Sequence, residues 1–217
     1  VCTVHSVMSA RRDSTLAAAL KDSDIATPDG MPLVWALRWT AGEDPQRVYG
    51  PELMRKTLIE AEGFGLRHYL YGSSEETLTA LATEVGRSAP AAQIVGTCSP
   101  PFRTLTADED EADLKRIRDS GADVVWVGLG MPKQELWMAR VKDRLPGVAL
   151  VGVGAAFDFI AGTKKQAPAW MARSGLEWVY RLTQEPKRLW KRYIWNNPAY
   201  LALLLGDVIR GRLRSVG

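Results

Sequence analysis

Four side chains able to bind a phosphate or a nucleotide, or to serve as an acid, stand where the chain turns or enters a helix. Asp29 lies in Pro28-Asp29-Gly30, a turn by its chemistry: proline fixes φ, aspartate hydrogen-bonds its own backbone, and glycine accepts positive φ. Such turns often serve structure alone, so Asp29 is either a turn former or a working acid. Arg47 comes just before a helix that enters at Pro51, where its planar guanidinium can clamp phosphate or simply remain in solvent. Gln134, with Lys133, follows Gly128-Leu129-Gly130-Met131-Pro132 at another helix start, an anion-favouring position, with Pro132 expected as the first helical residue. The alternative there is an ordinary strand-to-helix turn with a solvated polar pair. Asp158 closes Gly152-Val153-Gly154-Ala155-Ala156-Phe157-Asp158, from which it could touch the ribose or base of a nucleotide.

Other patterns lose their chemistry on inspection. Asp108-Glu109-Asp110 has the DxD spacing of a metal site, but Thr106 and Glu109 form a capping box, so the acids fall in a helix's first turn. Asp22-Ser23-Asp24 has the same spacing at a helix end. Gly152-x-Gly154-x-x-Phe157 fails the dinucleotide fingerprint at its third glycine, and Asp158 comes too early to be the ribose acid, which disfavours a nicotinamide or flavin enzyme. His68 alternates with apolar neighbours on a strand and reads as a packed or surface histidine. Cys2 and Cys98 form no CxxC, so neither a disulfide framework nor a zinc site is indicated, and a reducing cytoplasm fits.

The elements that must hold these residues alternate. Leu66–Tyr71, Gln93–Thr97, Val124–Val127 and a second buried run from Val148 that ends in Gly152 and Gly154 read as strands. Helices are expected over 6–21, with Val7, Met8, Leu16 and Leu20 as core contacts, and over Leu33–Arg38. Further helices are expected from Pro51, from a Ser73/Glu76 capping box to about Arg87, from Thr106 to Arg118, and after Pro132. This makes an α/β fold with a Rossmann-like parallel sheet flanked by helices, whose ligands bind at the carboxyl ends of the strands. Trp170–Thr183, Pro186–Ile194 and Pro198–Leu213 follow as a basic, aromatic-rich helical C-terminal appendage.

Charge divides along the same line. Residues 170–217 hold nine Lys and Arg against three acids, a balance of +6 in a chain of net +3, which leaves −3 for residues 1–169. A basic module on a mildly acidic body points to an anionic partner such as a membrane surface or polyphosphate. Trp178, Tyr180, Trp190, Tyr193, Trp195 and Tyr200 interleave with the cations, as in interfacial helices; a helical cap with solvated cations is the other reading. No uncharged run is long enough to span a bilayer.

Pro28-Asp29-Gly30, Arg47-Val48-Tyr49-Gly50, Gly128-Leu129-Gly130-x-Pro132-Lys133-Gln134-Glu135, Gly152-Val153-Gly154-Ala155-Ala156-Phe157-Asp158 and Glu185-Pro186-Lys187-Arg188 together resemble the WecG/TagA/CpsF family of bacterial glycosyltransferases, over nearly the whole chain. The resemblance implies an inverting, metal-independent and cofactor-free transfer of a sugar, of the N-acetylmannosamine type, from a UDP donor to a polyprenyl-diphosphate-linked saccharide in wall or surface polymer synthesis. It implies Asp29 as general base, and Thr3, Arg47, Gln134, Asp158 and the turn glycines Gly128 and Gly130 as substrate-binding residues. Arg181, Arg188 and Lys191 are implied to contact membrane or diphosphate. Residues 1–169 would then be the catalytic domain and 170–217 a membrane-docking appendage, on a cytoplasmic protein peripheral to the inner face of the membrane, as a homo-oligomer. The family's strand and helix before the threonine are missing here, so residues are expected upstream of Val1; its asparagine two residues after the threonine is also missing, since Thr3-Val4-His5-Ser6 is two residues shorter than the family loop.

The implied roles are physically coherent. A positioned carboxylate that takes the acceptor's proton contributes ~10²–10⁴-fold. Without a metal, the charge growing on UDP must be met by arginines and helix N-termini. The rival from another class is a non-catalytic nucleotide-sugar or polyphosphate-binding module. A nucleic-acid binder ranks below both, because the tail's aromatics have helical spacing and no single-strand-binding fold surrounds them.

Overall fold

The computed structural model describes residues 1–41 and 45–209. Near the amino terminus, Thr3 caps α1 (Val4–Ala10) in a capping box with Ser6. Asp13 caps α2 (Ser14–Lys21) by accepting from the amides of Thr15 and Leu16. The single helix expected over 6–21 is thus two, because an aspartate in mid-run offers the backbone a new start. Met8 and Leu16 are buried as expected. After the Pro28-Asp29-Gly30 turn comes α3 (Met31–Ala41), longer than the Leu33–Arg38 helix read from sequence.

Residues Gly50–Lys165 form one of two compact units. In chain order it holds α4 (Gly50–Glu60), β1 (Arg67–Gly72), α5 (Glu75–Ser88), β2 (Gln93–Cys98), α6 (Ala107–Ser120), β3 (Val124–Gly128), α7 (Lys133–Val141), β4 (Ala149–Gly152) and α8 (Ala156–Ile160). The strands make a four-stranded parallel sheet, among the described residues, in the order β2-β1-β3-β4. This is the α/β architecture expected. Alternating side chains divide the interior. Leu70, Val124 and Trp126 pack with α4, α5 and α8, whereas Tyr69, Tyr71, Val125 and Val127 pack with α6 and α7. Burial on both faces explains why β3 reads as an unbroken apolar run. In contrast, β4 is an edge strand and only half buried, so the expectation of a second fully buried strand does not hold.

Local details also shift. Ser74, not Ser73, caps α5, because Ser73 adopts φ +62° in the turn after Gly72. The Thr106/Glu109 box is present, and Asp110 in the same turn pairs with Arg140 at 2.8 Å. Pro132 stands at the N-cap of α7, one residue before the first helical position. His68 is fully buried and accepts from the Trp126 indole at 3.3 Å; burial lowers its pKa, which keeps it neutral and makes it a core residue.

The second unit joins Val1–Tyr49 to Gln166–Gly217. The sheet unit therefore ends near the expected boundary at 169, but the first 49 residues, read as part of the catalytic domain, cluster with the carboxyl-terminal helices. These are α9 (Ala169–Arg173), α10 (Glu177–Gln184) and α11 (Pro186–Ile209). Gly175, at φ +75°, divides the helix expected over Trp170–Thr183. Conversely, α11 continues through Pro198, where sequence suggested a break. Tyr200 and Leu204 of α11 bury against Val4, Met8 and Leu33, so packing on α1 and α3 offsets the hydrogen bond that proline forfeits. Among the described residues no helix is long and apolar enough to cross a membrane.

Gly128 tests the packing of the sheet unit. A Cβ there would lie 2.7 Å from the ring of Phe157, which is 1% exposed and cannot yield. Gly128→Ala should cost roughly 1–3 kcal/mol, read as a lower urea midpoint with unchanged slope; an unchanged midpoint would show that the ring is not tightly held.

Candidate functional site

Asp29 is positioned by main chain. Cys2 and Pro28 form a parallel β-bridge: the Cys2 amide donates to Thr27 O at 2.8 Å and the Asp29 amide to Cys2 O at 2.7 Å. On the other side the Val48 amide donates to Pro28 O at 2.9 Å. Three extended segments thus set Asp29 beside Arg47, eighteen residues along the chain.

The Arg47 guanidinium donates to Asp29 Oδ1 from Nε at 2.9 Å and from Nη2 at 2.8 Å. Its Nη2 also donates to Glu177 Oε2 at 2.5 Å, and its cationic carbon sits 4.6 Å from the centre of the Tyr49 ring. Side-chain exposures are 19% for Asp29, 17% for Arg47 and 15% for Glu177, so the cluster is largely shielded yet open to a small group. Thr3, His5, Trp178 and Arg181 line the same pocket. The Thr3 hydroxyl is also used locally, accepting from the Ser6 amide at 3.3 Å in the α1 cap.

The electrostatics raise the proton affinity of Asp29. Desolvation, reinforced by the negative charge of Glu177, outweighs the attraction of Arg47 and Arg181 and raises the carboxyl above its ordinary range. Burial opposes the charge on Arg47, but Asp29 and Glu177 together overcome this and hold it protonated. Burial and the two carboxylates likewise keep the Tyr49 phenol protonated. Because both arginine contacts fall on Oδ1, Oδ2 is left as the atom that can accept a proton.

The remaining expected residues divide in two. Gln134, Asp158, Gly128 and Gly130 belong to the sheet unit, at its carboxyl edge. There the strand order reverses between β1 and β3, whose last residues Gly72 and Gly128 are paired, the usual place for a ligand in an open α/β sheet. Gln134 is not a solvated amide: it is 4% exposed, its Nε2 donates to Glu135 at 3.0 Å, and its Oε1 is buried with no hydrogen-bond partner. Gly152 leaves room for it, since a Cβ there would come within 3.0 Å of its amide nitrogen. Lys133 instead donates to Phe102 O at 3.2 Å. Asp158 pairs with Lys164 at 3.0 Å. Gly130, at φ +74°, has open space where a Cβ would be. The side chains of Arg188 and Lys191 lie outside the described residues.

Thr3, Asp29, Arg47 and Arg181, the last expected to contact membrane or diphosphate, therefore share a pocket. Glu177 and Tyr49 were missed. An acid in a helix's first turn is already explained by the dipole, so nothing local marked Glu177 as a partner of Arg47. Among the described residues no cluster of three or more His, Cys, Asp and Glu could hold a metal.

A carboxyl whose pKa is raised by folding stabilises the native state below its unfolded pKa, and that contribution is lost as pH rises through the folded value. Asp29→Asn, which mimics the protonated acid, should melt above the wild type at neutral pH, with the gap closing under acid conditions. A lower melting temperature at neutral pH would contradict the desolvation argument.

Comparison with known proteins matches residues 1–214 to the glycosyl transferase WecG/TagA/CpsF family. Among curated relatives, the N-acetylglucosaminyldiphosphoundecaprenol N-acetyl-beta-D-mannosaminyltransferase of Bacillus subtilis (strain 168) is 31% identical over 198 residues, 90% of this chain and 74% of that protein. The enzyme of the same name from Bacillus spizizenii is 29% identical over 188 residues, 87% of this chain and 70% of that protein. A turn carboxylate held by arginine and a parallel sheet with a glycine-lined edge thus occur in a chain that belongs to the WecG/TagA/CpsF family of glycosyltransferases.

Proposed function

We propose that this glycosyltransferase moves an N-acetylmannosamine-type sugar from a UDP donor to a polyprenyl-diphosphate-linked saccharide, with inversion and without a bound metal. The observation that carries the mechanism is Asp29, a shielded carboxylate with raised pKa, gripped on one oxygen only. As the acceptor hydroxyl attacks the anomeric carbon, its proton passes to Asp29 Oδ2 while the bond to the UDP oxygen breaks. The raised pKa brings the base closer to the working pH, where proton transfer is most effective.

Arg47 and Arg181, in the same pocket, supply positive charge for the departing diphosphate. Thr3 contributes a hydroxyl to the substrate. The buried Gln134 Oε1 lacks a donor, and an N–H or O–H of the nucleotide would remove that penalty. Gly130 allows close approach of the ligand, and Asp158 is a nucleotide contact once it leaves Lys164. Asp110, in one of the two DxD lookalikes, is committed to Arg140 and Arg144, which favours charge neutralisation by arginine.

The relatives' names supply the substrates: a β-linked mannosaminyl product is what one displacement at an α-linked donor gives, and their acceptor carries undecaprenol. Such an acceptor stays in the bilayer. We therefore place the enzyme at the inner face of the membrane, held by the basic tail and by the exposed Trp170, Trp178 and Trp190. Arg188 and Lys191 belong to the same tail, and each cation near an anionic surface adds ~1 kcal/mol.

With UDP-N-acetylmannosamine and a short-chain polyprenyl-diphosphate acceptor, Asp29→Asn should lose ~10²–10⁴-fold in kcat while binding UDP like the wild type. Retained turnover would remove Asp29 as the base. Activity of the wild type should fall, as pH drops, through a pKa above the ordinary aspartate range; a flat profile down to that range would contradict the proposed base. Sedimentation with anionic liposomes should occur at low salt and weaken as salt rises, and salt-insensitive or absent association would refute the docking surface.

A further inference from the structure

We propose that Glu177 is a positioning residue for the transfer: by taking one N–H of Arg47 Nη2, it confines the guanidinium to a single oxygen of Asp29 and keeps the other oxygen open. The inference rests on the reading of Asp29 as the base. Arginine and carboxylate ordinarily pair as two parallel bonds, one to each oxygen. Here both bonds converge on Oδ1, and the second hydrogen of Nη2 goes to Glu177 Oε2 at 2.5 Å. Released from Glu177, Nη2 would be drawn to Oδ2, and a carboxylate bridged at both oxygens is a poor proton acceptor.

The usual account of an acid at a helix start is the dipole, and α10 does place Glu177 in its first turn. That account predicts a solvated side chain. Instead Glu177 is 15% exposed and turned onto an arginine 130 residues earlier in the chain. The groups acting on Asp29 are Arg47 in contact, and Glu177 and Arg181 through their charges, with His5 and Thr3 of the α1 end lining the same pocket. Two carboxylates thus face two guanidiniums. Removing the charge of Glu177 strips away a repulsion that favours the protonated acid, so Asp29 must become a weaker base.

The test is the pH profile of kcat/KM for Glu177→Gln, which keeps the shape but replaces the charge-assisted bond that holds Nη2 with a weaker neutral one. Its acid limb should move to lower pH than the wild type, kcat at neutral pH should fall roughly 10-fold, and donor KM should change less than about 2-fold. Glu177→Asp, which restores the charge, should return the limb towards its wild-type position. A loss of kcat in both variants with the limb unmoved means that Glu177 only supports the fold, and overturns the assignment. Asp29→Asn, measured alongside, separates the two claims. If it is inactive while Glu177→Gln keeps the wild-type limb, only Glu177 is reassigned; if it retains turnover, the base and its positioning residue fall together.

Discussion

One guanidinium, that of Arg47, is shared between two carboxylates, and much of the site follows from that sharing. An aspartate in water would be fully ionised and weakly basic. An aspartate paired squarely with arginine would be more acidic still. Partial removal from solvent pushes in the opposite direction, and the second carboxylate draws off part of the arginine's hold. The balance leaves Asp29 anchored in place yet able to take up a proton. Those demands normally conflict, because the contact that orients a base usually weakens it.

The two compact units divide the work differently from what the chain order suggests. The sheet unit is an ordinary parallel α/β layer with a buried core on each face and a glycine-lined edge where its strand order reverses. The other unit is assembled from the two ends of the chain, with α1 and α3 packed on α11. The carboxyl-terminal helices are thus more than a detachable cationic tail: α10 supplies Glu177 and Arg181 to the pocket that holds Asp29. The packed-cap and interfacial readings of this segment both have a basis, since Tyr200 and Leu204 are buried while Trp170, Trp178 and Trp190 keep exposed faces.

The sheet was legible because burial on both faces writes itself as apolar runs, and β1, β2 and β3 fell where those runs lay. Asp29 and Arg47 were legible as residues but not as partners: turn chemistry and helix entry explain each alone, and it is the bond from the Val48 amide to Pro28 O that brings their segments together. Glu177 was invisible, since its partner is 130 residues away and its local setting already had a sufficient cause. The helix errors have the same origin. Asp13 ended a run that composition would have continued, and tertiary packing carried α11 through Pro198, where local propensity would have stopped it.

The backbone clamp around Pro28 bears on how freely this region can vary. Cys2, Thr27 and Val48 grip the turn through amide and carbonyl groups, contacts that do not depend on residue type. Their identities could drift through many residue types with those backbone bonds to the turn kept. The placement of this carboxylate is in that respect written in the path of the polypeptide rather than in the letters beside Asp29.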